Sequence, residues 1–227
     1  MSVPDWVEQA ARYMLEEGLV GTLKVSAIAL AGSTLIGITL GVLLTIRFLP
    51  LRALIRLYVE IWRGLPILVT IFMIFFALPA VSLHFRFEAL TAAAIGLTLW
   101  GSAQVAEATR GAVQSIPREQ HEAAAALGFG WVGRHAFVIM PQALRRLLPP
   151  VVSLLVNIIQ NTTIAAAIGA TELLESGKRQ VERLTAPPPA GLAEIHSFEI
   201  YGAVMLIFFC ISFPLTRLAA YLEKRLT

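Results

Sequence analysis

Five stretches without a charged side chain limit what this sequence can fold into. Val25–Ile46, Gly64–Leu83, Ala89–Ala106, Leu147–Ala170 and Ile200–Thr216 are 22, 20, 18, 24 and 17 residues long. A helix rises 1.5 Å per residue, so about 20 apolar residues cross the hydrocarbon core of a bilayer. Membrane-spanning strands need only about 10 residues and alternate in polarity, and these runs do not alternate. The expectation is an all-α integral membrane protein with five transmembrane helices, forming one domain over residues 1–227. Composition agrees. Only 15% of the residues are charged and 57% are hydrophobic, whereas a soluble domain carries about a quarter charged residues.

The net charge of +3 matters less than where the charges fall. Arg47, Arg52 and Arg56 lie between the first two runs, and Arg110, Arg118, Arg134, Arg145 and Arg146 between the third and fourth. Arg217, Lys224 and Arg225 follow the fifth. The opposite connections hold Arg86 and the acidic Asp5, Glu8, Glu16 and Glu17. The segment after the fourth run is mixed, with Lys178, Arg179 and Arg183 against Glu172, Glu175, Glu182 and Glu194. Basic residues collect on the cytoplasmic side of short loops, which puts the N-terminus outside and the C-terminus in the cytoplasm of a bacterial inner membrane. The start of the chain lacks the pattern of a cleaved signal, so the first run is expected to remain in place. The single cysteine, Cys210, excludes an intrachain disulfide and reads as a small core residue.

Residues 1–18 form an outer amphipathic segment, with Val3, Trp6, Val7, Ala10, Ala11, Met14 and Leu15 at helical spacing. Gly18 and Gly21 are expected to turn the chain into the first span. Ala29, Ser33, Gly37 and Gly41 share one face of that span. Small residues at this spacing let helix backbones approach closely, and packing within the chain is the favoured use. Residues 171–197 read as an outer loop, marked by Pro187–Pro189 and mixed charge.

The most informative stretch is the cytoplasmic loop at residues 115–141. Ser115 is a candidate helix cap and Pro117 an early helical position. Arg118–Leu127 favours a short helix, ended by Gly128 and Gly130, with a smooth face at Ala123–Ala126. A second short element is expected around Trp131–Phe137, before the chain re-enters the membrane at Pro141.

Glu122-Ala123-Ala124, three residues, Gly128, nine residues and Val138-Ile139-Met140-Pro141 resemble the EAA loop of bacterial ABC importer permeases. The family usually has Ile and Leu where this chain has Val138 and Met140. Glu107-Ala108-Thr109-Arg110-Gly111 with Ser115-Ile116-Pro117, Arg63-Gly64-Leu65-Pro66 and Gln142-Ala143-Leu144-Arg145 are similar to motifs of the polar amino acid permeases. The resemblance implies a type I importer core of five helices, carrying a polar amino acid inward by alternating access. It implies that Glu119, Glu122, Ala123, Ala124 and Gly128 couple to a cytoplasmic ATPase. The implied partners are two ATPase subunits, a second permease subunit and an external solute-binding protein. The chain has no GxxxxGK[ST] phosphate loop, so ATP and Mg would sit on the ATPase partner. The chain itself is expected to bind no cofactor and to catalyse nothing.

A polar group inside a bilayer is costly unless it is paired or faces water, which makes it a functional candidate. The fourth run holds Asn157, Gln160, Asn161, Thr162 and Thr163. The three amides share a face by i, i+3, i+4 spacing and can both donate to and accept from a zwitterion. The resembling family often has Lys-Asp-Thr-Ser where this chain has Gln160-Asn161-Thr162-Thr163, so a charged pair has become an amide pair. Interhelical hydrogen bonding is the alternative use. Glu60 with Arg63, and Glu107 with Arg110, are i, i+3 pairs near the cytoplasmic ends and form a candidate gate. The histidines lack partners at ligand spacing, so no metal site is expected. Two readings compete with the importer: a secondary transporter or channel without an ATPase, and an ABC importer for another small organic solute.

Overall fold

The computed structural model describes residues 4–46, 48–187 and 195–226. Val3, Arg47, Pro188, Pro189 and Glu194, named above, lie outside them. The described residues form eight helices and no strand: α1 (Asp5–Leu43), α2 (Leu49–Gly64), α3 (Ile67–Val81), α4 (Ala89–Gln114), α5 (Arg118–Ala126), α6 (Trp131–Ile168), α7 (Leu173–Thr185) and α8 (Ser197–Leu226). α1, α4, α6 and α8 are each long and apolar enough to cross a membrane, and α2 with α3 makes a fifth span if that broken pair counts as one.

Three boundaries differ from expectation. α1 runs from Asp5 to Leu43 without a break, passing through a π-helical stretch at Met14–Leu19. Gly18 and Gly21 therefore do not turn the chain. They permit contact instead, since a Cβ on Gly18 would meet Ser176 Oγ at 2.1 Å and one on Gly21 the Thr171 carbonyl oxygen at 2.1 Å. The helix expected from Gly64 begins at Ile67. A separate amphipathic helix, α2, precedes it and ends where Leu65 turns extended (φ −84°, ψ 139°) ahead of Pro66. The segment of residues 171–197, expected to be a loop, contains a 13-residue helix, α7.

The chain folds as two compact units, each assembled from three separate segments. The first comprises Met1–Ala29, Ile67–Leu97 and Asn157–Pro214. Its core gathers Met14, Leu173, Leu184, Ile200 and Val204. α7 is fastened by polar contacts as well. The Thr22 hydroxyl oxygen accepts from the Leu173 backbone N–H at 3.1 Å. The Arg179 guanidinium donates to Glu175 at 3.0 Å, the Thr171 hydroxyl at 3.1 Å and the Gly169 carbonyl at 3.1 Å. Arg183 donates to Gln9 at 3.1 Å.

The second unit comprises Leu30–Pro66, Thr98–Val156 and Leu215–Thr227. Here the small residues of α1 pack on α4, as expected. A Cβ on Gly37 would meet the Val105 side chain at 2.4 Å, and one on Gly41 the Thr109 side chain at 2.4 Å. Ser33 donates to the Thr98 carbonyl at 3.3 Å. Leu44, Ile55, Val59, Ala103 and Ala106 form the adjoining core.

Cys210 is exposed on α8 rather than set in a core. Its neighbours Met205, Leu206 and Phe209 are exposed too, an apolar helix face left uncovered within the chain.

Candidate functional site

The loop between α4 and α6 is built from local signals. Ile116 is buried with Val113, Ile139 and Ala143 and anchors the chain below α4. Ser115 does not cap α5, contrary to expectation. Its hydroxyl donates back to the Ala112 carbonyl at 2.7 Å, and Arg146 clamps its carbonyl and hydroxyl at 2.7 and 2.8 Å. Pro117 takes the cap position of α5. At the other end Phe129 N–H reaches the Ala124 carbonyl (3.1 Å) and Gly128 N–H the Ala125 carbonyl (3.0 Å). That pair of bonds is a Schellman motif, and it requires the left-handed φ of 87° that Gly128 adopts. Nothing lies within 4 Å of a Cβ placed there, so the glycine serves backbone conformation, not space.

α5 is a solvated helix. Ala124 is its single buried residue, while Glu119, Glu122, Ala123, Ala125 and Ala126 are all exposed. Glu122 accepts from Arg118 at 2.7 Å. Around this helix three large apolar side chains stand out: Leu127, Val132 and Phe137 are 78%, 72% and 73% exposed. The element expected near Trp131 is the first turn of α6, continuing through a π-helical stretch at His135–Ile139 and past Pro141 without a break. His135 is buried there, stacked 4.1 Å from Trp131 with Nδ1 2.9 Å from the Trp131 carbonyl.

The amide cluster lies where α6 changes character. α-Helical geometry ends at Asn161, and Thr162–Ile168 continue as a tighter 3₁₀ segment closed by Gly169 at φ 72°. Asn157 and Gln160 are exposed and Asn161 is half-buried. None of the three amides is hydrogen-bonded to a described residue. The threonines behave differently. Thr162 is buried and donates to the Ile159 carbonyl at 2.7 Å, and Thr163 donates to the Gln160 carbonyl at 2.7 Å. Their hydroxyls satisfy carbonyls released by the change of helix type.

The four candidate gate residues are not two equivalent pairs. Glu107 and Arg110 form a bidentate pair, with Nε–Oε2 at 2.9 Å and a second short contact, and Arg110 also holds Gln114. Glu60 instead pairs with Arg56 at 3.4 Å, and Arg63 is exposed. Residues 56 and 60 are four apart on α2, a better separation than three for long side chains reaching along a helix. Sequence reasoning missed Arg56 as a partner, although its spacing to Glu60 was available. It also missed Glu172, the buried cap of α7, which accepts from the N–H groups of Leu174 (3.0 Å) and Glu175 (2.7 Å). Among the described residues no three His, Cys, Asp or Glu side chains gather to hold a metal.

A helical membrane scaffold with a solvated, glycine-terminated helix between two spans defines a class of transport component, and comparison with known proteins assigns it. Residues 33–227 match the family described as "Binding-protein-dependent transport system inner membrane component". The chain belongs to this family: it is a multi-pass inner-membrane permease component of a transport system, not an enzyme. It is 32% identical to the probable glutamine ABC transporter permease protein GlnM of Bacillus subtilis, over 100% of this chain and 98% of that one. It is 33% identical to the glutamine transport system permease protein GlnP of Escherichia coli, covering 94% and 93%. The fold matches a solved amino acid ABC transporter, described with histidines, at a TM-score of 0.82 and 24% identity over 99% of this chain. It matches the MetNI methionine ABC transporter in an inward-facing conformation at 0.78 and 21% identity.

Proposed function

We propose that this chain forms the membrane path of an ATP-driven importer for a polar amino acid, with α5 as the helix that docks on a separate ATPase. The carrying observation is α5 itself, with its exposed apolar neighbours Leu127, Val132 and Phe137. A loop between spans gains nothing from placing three large apolar groups in water, whereas an interface core uses such groups. Glu119, Glu122 and Ala123 present the polar and small surface beside them, and Ala124 and Gly128 hold the helix in place. Arginine-rich connections put α5 and the C-terminus in the cytoplasm and the N-terminus outside.

The substrate would pass along the amide face of α6. Asn157, Gln160 and Asn161 have hydrogen-bonding capacity unused within the chain, and in a bilayer such groups call for water, substrate or another subunit. Thr163 lies at the margin of that face and Thr162 supports it from behind. A second copy or a sister permease completes the path, and an external binding protein delivers the solute. ATP and Mg bind the ATPase, whose closure moves α5 and opens the path outward. Glu107 with Arg110 is the part of the candidate gate already closed as a pair, while Glu60 would have to leave Arg56 to meet Arg63 as the helices move.

The test is amino-acid-stimulated ATP hydrolysis in proteoliposomes holding this chain, its ATPase and its binding protein. Glu122→Arg removes the Arg118 pair and reverses charge at the docking surface, and is expected to lower stimulation at least about tenfold with the fold intact. Asn161→Ala is expected to change which amino acids stimulate. Transport that persists without any ATPase would overturn the importer reading in favour of a secondary transporter.

A further inference from the structure

The second unit contains a cavity of about 1130 Å³ beside α5, of whose lining the transport reading uses only Glu122 and its Arg118 pair. Its lining has two characters. Leu44 and Ile46 directly follow the end of α1, and Val113 and Gln114 close α4. The cavity thus lies beside the ends of two candidate spans, the level at which a bilayer around them would place its lipid phosphates. Three arginines join them, Arg52 from α2, Arg118 from α5 and Arg134 from α6, beside His121, Trp131 and His135.

Only one carboxylate, Glu122, lines the same space, and it is taken by Arg118 at 2.7 Å. Arg52 and Arg134 have no carboxylate partner among the described residues. Arg134 has just a long contact of 3.5 Å to the His121 carbonyl, and its Nε is buried without a hydrogen bond. A buried guanidinium nitrogen left unpaired is costly, so the site is short of an anion. His121 lies in the same lining. Burial first, then Arg134 and His135, hold its imidazole below its ordinary pKa. Next to the cavity, α2 carries exposed Leu49, Leu54 and Leu57 on the same helix as Arg52 and Arg56. This is the pattern of a helix lying in a membrane surface.

We propose that this cavity binds the phosphate of an anionic phospholipid of the cytoplasmic leaflet, held between Arg52 and Arg134, with the glycerol end of the lipid against Leu44 and Ile46. Phosphate suits guanidinium groups because each can offer two parallel N–H donors. Basic pockets between membrane helices on the cytoplasmic side are suited to acidic head groups. Arg118, His121 and Glu122 belong to α5, so an occupied site would brace the docking helix and make ATPase stimulation depend on anionic lipid. That consequence alone rests on the coupling role proposed above; the lipid site does not.

The experiment uses the full chain with its ATPase in nanodiscs of phosphatidylcholine. Spin-labelled phosphatidylglycerol and spin-labelled phosphatidylcholine are compared as probes, with inorganic phosphate as competitor. Preference for phosphatidylglycerol is expected to fall about fivefold for each of Arg52→Gln and Arg134→Gln. Arg145→Gln with Arg225→Gln removes two charges outside the cavity and is expected to keep the preference. Arg52 is exposed and holds no side-chain partner, so its variant tests the site without threatening the fold. Equal losses in both sets of variants, no preference for phosphatidylglycerol, or displacement of the lipid by inorganic phosphate would each overturn the assignment. Because lipid association is read without ATP turnover, failure of Glu122→Arg to uncouple would leave this result standing.

Discussion

α5 and α7 are both short, charged helices that follow a membrane span, and they are used in opposite ways. α7 buries six of its thirteen residues, among them Glu175, Ser176 and Gln180. α5 buries one of nine, Ala124. α7 is fastened to its surroundings: Thr22 accepts from the Leu173 N–H, Thr171 accepts from Arg179, and Gly18 and Gly21 of α1 permit close approach, although Glu175 Oε2 and Gln180 Oε1 are buried without a hydrogen bond. α5 has few contacts of this kind among the described residues, including a 3.5 Å bond from Gln142 to Gln120 and the Arg118–Glu122 pair within the helix, so Glu119 and Glu122 stay in water and the apolar side chains around them are left uncovered. A helix tied down on its polar face is part of the scaffold. A helix held at its ends and bare along its length is a surface for something else.

The contrast breaks most readily in the core. Leu173→Ala, at a fully buried position in the α7 cluster, is expected to destabilise by about 2–5 kcal/mol. Leu127→Ala beside α5 should change stability by less than about 0.5 kcal/mol while weakening ATPase association. Thermal melts of the purified chain and co-purification of the ATPase measure the two effects. Equal melting temperatures for both variants would erase the distinction.

Gly21→Ala sharpens it next. The new methyl would meet the Thr171 carbonyl, backbone that cannot rotate away, at a cost of about 1–3 kcal/mol. Gly111→Ala in α4 meets nothing within 4 Å and is expected to be neutral or to stabilise by about 0.5–1 kcal/mol. The same melts decide this.

A further test is a pH dependence that centres on the cap of α7. Burial pushes the Glu172 carboxyl up from its ordinary 4.5 to about 7, against the lowering effect of the N–H groups it caps. The folded state thus favours the protonated form. Its contribution to stability is largest below the ordinary value and is lost as pH rises through about 7. Glu172→Gln keeps a carbonyl for capping and removes the titration, so the fall in melting temperature between about pH 5 and pH 8 should flatten. A Glu172→Gln protein with the wild-type pH profile would show that Glu172 is not the titrating group.

Much of this architecture was legible in the sequence because its causes are local. Uncharged runs of 17 to 24 residues report spans, since burying a charge in lipid is costly wherever the partner helices lie. Gly128 marked the end of α5, as an αL position after a helix selects glycine whatever surrounds it. The stripe of Ser33, Gly37 and Gly41 announced close packing because a four-residue spacing fixes one face.

What only the tertiary structure decided depends on residues far apart in the chain. Thr22 and Leu173 are 151 positions apart, and without that contact α7 reads as a charged loop. Gly18 and Gly21 look like a turn until Ser176 and Thr171 are seen against them. Arg134 reads as one more cytoplasmic cation until the cavity shows its nitrogen buried and unpaired. Sequence by itself determined which segments enter the membrane and which helix is left bare. Tertiary structure decided which polar groups are satisfied, because satisfaction belongs to pairs of groups and not to either residue alone.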